Sequence, residues 1–282
     1  MAAFTSAVSV DEYHAITSVG FTPVGQVMGS CVYHTAYARS WDCGFRGWFV
    51  NIAHLDGVDV GDESGYGLPT LHGATINEAT VNEVRLLREA LEESRTLAID
   101  RMREECVALG GDGVVAVTLT ATPFPAGGTQ LRAIGTAVRA AGPVRADRPF
   151  LSDLTGQDFA KLMIAGWVPC GLVLGVGMMV RHDDYRTEMQ RLSWSNTEFS
   201  GRTKLVATAR MAARRTLRAD CARYGADGVV IRDSTLRMWE QPCSSAGEGR
   251  TDMLAEAILT GTAISRFATG TAPAPLRIMR LH

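Results

Sequence analysis

Lysine is almost missing from this chain. Of 28 basic residues in 282, only Lys161 and Lys204 are lysines. Such an arginine bias follows from GC-rich coding more readily than from function. Net charge is nearly missing too, at −2, so nothing draws the whole molecule to nucleic acid or to an anionic membrane. Long apolar runs are also lacking: the most apolar stretch, residues 171–180, is too short and too glycine-rich to span a bilayer. The opening MAAFTSAVSV has neither the basic nor the apolar region of a secretory signal, which predicts a cytoplasmic protein. Cysteine is present but unpatterned. Cys31, Cys43, Cys106, Cys170, Cys221 and Cys243 fall at no tight motif spacing, and in a cytoplasmic setting they are expected to stay mostly reduced. No serine sits in a G-x-S-x-G elbow, and GLVLGVG lacks the lysine of a P-loop. The run His182, Asp183, Asp184, Tyr185 offers acid–base groups but reads as a solvated turn.

What the chain does have is an internal repeat. GGDGVVAV, starting at Gly110, returns as GADGVVIR from Gly225. SVGFTPVGQVMGSCV from Ser18 lies over IAGWVPCGLVLGVGM from Ile164 at an offset of 146, with Gly20 on Gly166, Pro23 on Pro169 and Gly29 on Gly175. Phe4 and Ser6 meet Phe150 and Ser152 at that same offset. The helical segments align at 115, Cys106 on Cys221, and GTAV from Gly135 meets GTAI from Gly261 at 126. Three blocks in one order, twice, predict a tandem duplication. The falling offset puts about 31 extra residues in copy one, and the rise to 126 puts about 11 in copy two.

Each copy reads as strand, strand, long helix, strand, strand. Val84, Leu87, Leu91, Ala98, Met102, Cys106 and Leu109 keep helical spacing, and Gly110 ends the run. Val206, Ala209, Ala213, Leu217 and Cys221 form the same stripe before Gly225. The expectation is an α+β fold: two tandem copies of a small domain with a long helix packed on a β-sheet, copy one carrying a long insert. Copy one spans residues 1–140 with the insert at about 33–79, a linker covers 141–149, copy two covers 150–267, and a tail covers 268–282.

An arginine- and alanine-rich helix running into LGGDGVV or YGADGVV, then a strand ending GTAV or GTAI, resembles the YbjQ-like family of heavy-metal-binding domains. GFTPVGQVMG and GWVPCGLVLG are similar to that family's strand block. The resemblance implies a compact α+β fold that assembles as a ring, typically a pentamer, and it carries over no catalytic residue. The chain itself is thus the expected partner, as a homo-oligomer of five or a multiple of five.

Two features bear on partners. From Glu78 to Leu109 eight acidic residues face five basic ones, Glu89, Glu92 and Glu93 among them; from Gly201 to Tyr224 seven basic residues, including Arg210, Arg214, Arg215 and Arg218, face Asp220 alone. Opposite charge on repeated helices suggests that they pair, within or between chains, while two solvated faces that drifted apart is the plainer account. The insert concentrates aromatics, Trp41 and Trp48 foremost, as a partner or assembly surface or as a local mini-core. The basic helix lacks the aromatics of a base-stacking surface, which argues against nucleic acid. For a divalent metal the candidates are Cys31, His34 and Cys43, although residues three apart on a strand face opposite sides and no second close ligand pair exists. No other cofactor is expected. The residues together point to a non-enzymatic ring-forming protein with a structural or scaffolding role; the alternative is a heavy-metal or small-ligand binding protein with sites between repeats.

Overall fold

The computed structural model describes residues 8–33, 81–124, 129–143, 145, 147–182, 185–242 and 251–267. Among the described residues, two four-stranded sheets make up the β layer. The first runs β1 (Phe21–Tyr33), β4 (Thr129–Ala140), β3 (Gly113–Pro123), β5 (Phe150–Leu151). The second runs β2 (Val81–Glu83), β6 (Trp167–His182), β8 (Thr251–Arg266), β7 (Gly228–Pro242). Among the described residues they are accompanied by the helices α1 (Val10–Ser18), α2 (Arg85–Ala108), α3 (Gly156–Ile164), α4 (Tyr185–Arg191) and α5 (Ser200–Arg223).

The two units match in register as well as in order. Phe21 pairs with Ala140 in the first sheet and Trp167 with Arg266 in the second; both ladders slip just after the proline, between Pro23 and Gly25 and between Pro169 and Gly171. This is the expected α+β class. It departs from the expected order in its elements: α1, α3 and α4 are additional helices, and GFTPVGQVMGSCVY forms a single strand with a bulge rather than two strands, so that Tyr33 belongs to that strand rather than to the insert. A proline lacks the N–H that a ladder needs, so the bulge absorbs it without ending the strand.

Local chemistry fixes the ends. Ser9 and Glu12 close a capping box on α1, with the Glu12 N–H donating to Ser9 Oγ at 3.2 Å and the Ser9 N–H to Glu12 Oε2 at 2.8 Å. Gly110 and Gly225 take the left-handed conformation just after α2 and α5, at φ 69° and 59°, which side chains resist.

Along β1 the residues Val27, Gly29 and Cys31 point at α2, and the first core gathers them with Ala98, Met102 and Cys106. Gly29 allows the closest approach. A Cβ placed there would lie 1.9 Å from the Ala98 carbonyl oxygen and 2.4 Å from the Met102 nitrogen. Gly175 and Gly177 do the same for α5, where a Cβ would stand 2.2 Å and 2.1 Å from the Ala213 and Ala209 oxygens. Helix backbone therefore rests directly on strand backbone in both units. The atoms a new methyl would strike are backbone and cannot swing aside. Gly29→Ala and Gly175→Ala are each expected to cost about 3 kcal/mol or more of stability, whereas Gly142→Ala, which meets nothing within 4 Å, costs little. Urea melts of the three variants check this.

Candidate functional site

The two units interlock. Val81–Glu83, preceding the first helix, form β2 and pair antiparallel with β6 of the second sheet. Phe150–Leu151, opening the second unit, form β5 and pair parallel with β3 of the first. Each unit thus lends a strand to the other's sheet. The junction is sealed at Gly113, whose position is crossed by the Phe150 ring: a Cβ there would lie 2.2 Å from that ring. Phe150 stacks on Phe159 of α3 and meets Phe21 of β1 edge-on, with ring centroids 5.8 and 6.1 Å apart. Such contacts add about 1 kcal/mol per pair beyond area burial.

Beneath these rings lies a buried polar knot. Ser152 Oγ and Thr262 Oγ1 are 3.0 Å apart, the Asp153 N–H donates to Thr262 Oγ1 at 3.1 Å, and Thr262 Oγ1 donates to Asp153 Oδ1. Arg232 Nη1 donates to the Asp153 carbonyl oxygen. Asp153 is 4% exposed, and its Oδ2 has no hydrogen bond among the described residues. Burial raises its pKa above the ordinary carboxylate value, against the pull of Thr262 and Arg232. Another buried charge is Arg95 of α2: it donates to the Leu91 carbonyl oxygen at 3.4 Å, and burial lowers its pKa while the charge of Glu256 on β8, also under a tenth exposed, opposes that shift.

Only part of the expected site set falls among the described residues. Cys31 is 5% exposed and packs in the first core. His34, Cys43, Trp41 and Trp48 lie outside the described residues. Among the described residues no group of three or more His, Cys, Asp or Glu is placed to hold a metal ion. Glu89 and Glu92 are drawn to Arg88 on their own helix, at 3.5 and 2.6 Å. Glu93 accepts from the Tyr33 hydroxyl at 2.8 Å, which raises the tyrosine's pKa. Arg210 and Arg214 flank an open groove of about 210 Å³ over Thr235 and Leu236 of β7, while Arg215 and Arg218 are exposed on α5. Within the chain the acidic helix packs on the second sheet, where Val84 and Leu91 meet Met178 and Val180, and α5 packs on the alternate residues Val173 and Met179. Cys106 is fully buried and inert, its thiol pushed up to about 11, chiefly by burial.

Sequence reasoning overlooked Arg95, Asp153 and Glu256. Asp153 gives a test with a definite sign. A carboxyl whose pKa rises on folding favours the folded state fully below its unfolded value and loses that contribution as pH rises through its folded value. At neutral pH the buried charge therefore costs stability. Melting temperatures of the wild type minus those of Asp153→Asn are expected to grow more positive as pH falls from 7 to 5. A flat or shrinking difference contradicts the assignment.

Comparison with known proteins follows the same outline. The YbjQ family model, described as "Putative heavy-metal-binding", matches residues 67–141. Over 81 residues the chain is 37% identical to a UPF0145 protein of Halorubrum lacusprofundi, covering 29% of this chain and 70% of that one. It is 39% identical over 80 residues to a UPF0145 protein of Archaeoglobus fulgidus, covering 28% and 67%. No solved structure matches. One relative spans both units: the encapsulin nanocompartment protein Rv1762c of Mycobacterium tuberculosis is 31% identical over 236 residues, or 80% of this chain and 76% of that protein. With both chains matched over most of their length, and a YbjQ domain recognised in the first unit, the protein belongs to the family of that encapsulin nanocompartment protein.

Proposed function

We propose that this chain is a non-enzymatic building block of a closed homo-oligomer with a structural or scaffolding role. The observation that carries the reading is the reciprocal strand exchange between its units. Each unit lends one short strand and receives one, and the two contacts run in one direction rather than about a two-fold axis. A directional contact of that kind generates rings when its rotation closes. The name of the relative that spans both units, a nanocompartment protein, supports a role in assembly. The resemblance to YbjQ-like domains favours five chains or a multiple of five, and a cytoplasmic setting suits Cys31, Cys106, Cys170 and Cys221, which are free among the described residues. Trp41 and Trp48 of the insert are the proposed contact for a protein partner.

A second reading rests on the family description alone: a heavy-metal or small-ligand protein with sites between repeats. Cys31, seated in the core, is the one described member of its candidate set.

Native mass spectrometry of untagged protein, purified without chelator, separates the two. A closed multiple of the chain mass with no added mass is the expected result. A stoichiometric metal or small-molecule excess, lost on Cys31→Ala, would put the second reading first. A monomer would refute the assembly.

A further inference from the structure

The exchange inside the chain leaves one acceptor unserved among the described residues. β3 receives β5, but β7, its counterpart in the second sheet, is an edge strand. The repeat offsets name the missing donor. Gly113 lies at Gly228 in the second unit, and Phe150 lies at Phe4 in the first. We propose that residues 4–6 of a second copy of this chain add as a parallel strand to the edge of β7, with Phe4 of that copy seated over Gly228. The proposal rests on the assembly reading above and specifies its contact.

Four observations carry it. The first is the notch. At Gly113 the space beside the backbone is filled by the Phe150 ring, whereas a Cβ at Gly228 would meet only Ile264, at 3.7 Å. The same glycine is kept at both positions, and in one of them the described residues supply no aromatic ring.

The second is burial on the acceptor side. Ile16, Val115 and Val138, which receive the donated segment in the first unit, are fully buried. Their counterparts Leu162, Val230 and Ile264 are half-buried. All three remain apolar, as a covered surface requires.

The third is burial on the donor side. Phe159 is fully buried against Phe21, ring centroids 5.2 Å apart. Its counterpart in the first unit is Tyr13, 38% exposed, and the counterpart of Phe21 is Trp167. The aromatic trio of Phe21, Phe150 and Phe159 would thus recur between copies as Trp167 with Phe4 and Tyr13 of the neighbour. Every member is aromatic in both sets.

The fourth is the back of the first sheet. Met178 of β6 is 1% exposed because α2 of the preceding unit covers it; the equivalent Val32 of β1 is 49% exposed. Met28, on that face, is 45% exposed. The same contact, carried one step on, lays α5 of a neighbouring copy across this apolar patch.

The repeat of the contact is not perfect. Gly156 opens α3 where a Cβ would stand 2.9 Å from the Glu12 carbonyl oxygen, and its counterpart in α1 is Val10. Helices at the contact between copies must sit further apart than α1 and α3 do, so the strand and the aromatic trio carry that contact.

The test mixes two chains. One carries Phe4→Cys and one tag, the other Gly228→Cys and a second tag, and they are co-expressed and oxidised. Paired residues of neighbouring strands lie within disulfide range. The expected product is a linked pair bearing both tags, absent when either variant is expressed alone. Alongside it, Gly228→Phe fills the notch and Phe4→Asp spoils the ring. Both are expected to reduce the wild-type assembly to smaller species while the melting temperature of the separated chain stays unchanged. A wild type that assembles, gives no mixed link and keeps its mass in both variants overturns this contact and leaves the assembly reading standing. A link formed only within one chain, in the double variant, overturns it as well: the segment then folds back on its own β7. A wild-type monomer removes the assembly itself.

Discussion

A sheet edge is a row of unpaired backbone donors and acceptors, and something must cover it. In this protein the cover comes from the other unit. Phe150–Leu151 complete the first sheet and Val81–Glu83 extend the second, so neither sheet is whole without the chain on the far side of it. Everything else follows from that mutual dependence. Leu151 and Leu172 of the second unit sit in the first unit's core, and Val84 and Leu91 of the first pack on the back of the second sheet. Ala140 and Phe150, on either side of the linker, are both held in ladders.

Charge plays a secondary part in holding the units together. Near-zero net charge and a scatter of arginines give no long-range field, and most ion pairs on the helices are local and exposed. Arg95 of α2 and Glu256 of β8, whose charges attract across the units, lie below the surface. Buried ionic groups of this kind are costly to place and costly to break. They make the register of one unit on the other specific, while the aromatic rings over Gly113 supply the affinity.

The repeat was legible because it left fixed offsets. The glycines Gly110 and Gly225 that close the two long helices stand at one of those offsets, and so does the recurrence of Gly29 at Gly175. Gly29 and Gly175 had a clear signal: they recurred in strands, where glycine has no reason to be unless backbone comes close. The exchange of β2 and β5 was not legible. Strands of two or three residues carry no period, and nothing in a linear sequence says which sheet they join. Arg95 had a signal that went unread, since it falls in the apolar stripe between Leu91 and Ala98. A charge on a buried stripe calls for a partner, and the structure supplies Glu256. Asp153 and Glu256 gave none, because buried and solvated carboxylates are spelled alike. The metal candidates rest on residue type alone; of them Cys31 lies in the first core, while His34 and Cys43 fall outside the described residues.

The glycine contacts have a mechanical consequence. With no side chain between helix and strand at Gly29, Gly175 and Gly177, α2 and α5 have no soft layer to slide on. Each unit is therefore stiff, and compliance is confined to the joints between units. Under load such a chain yields at the seam between its units, which tilt against one another and keep their own curvature.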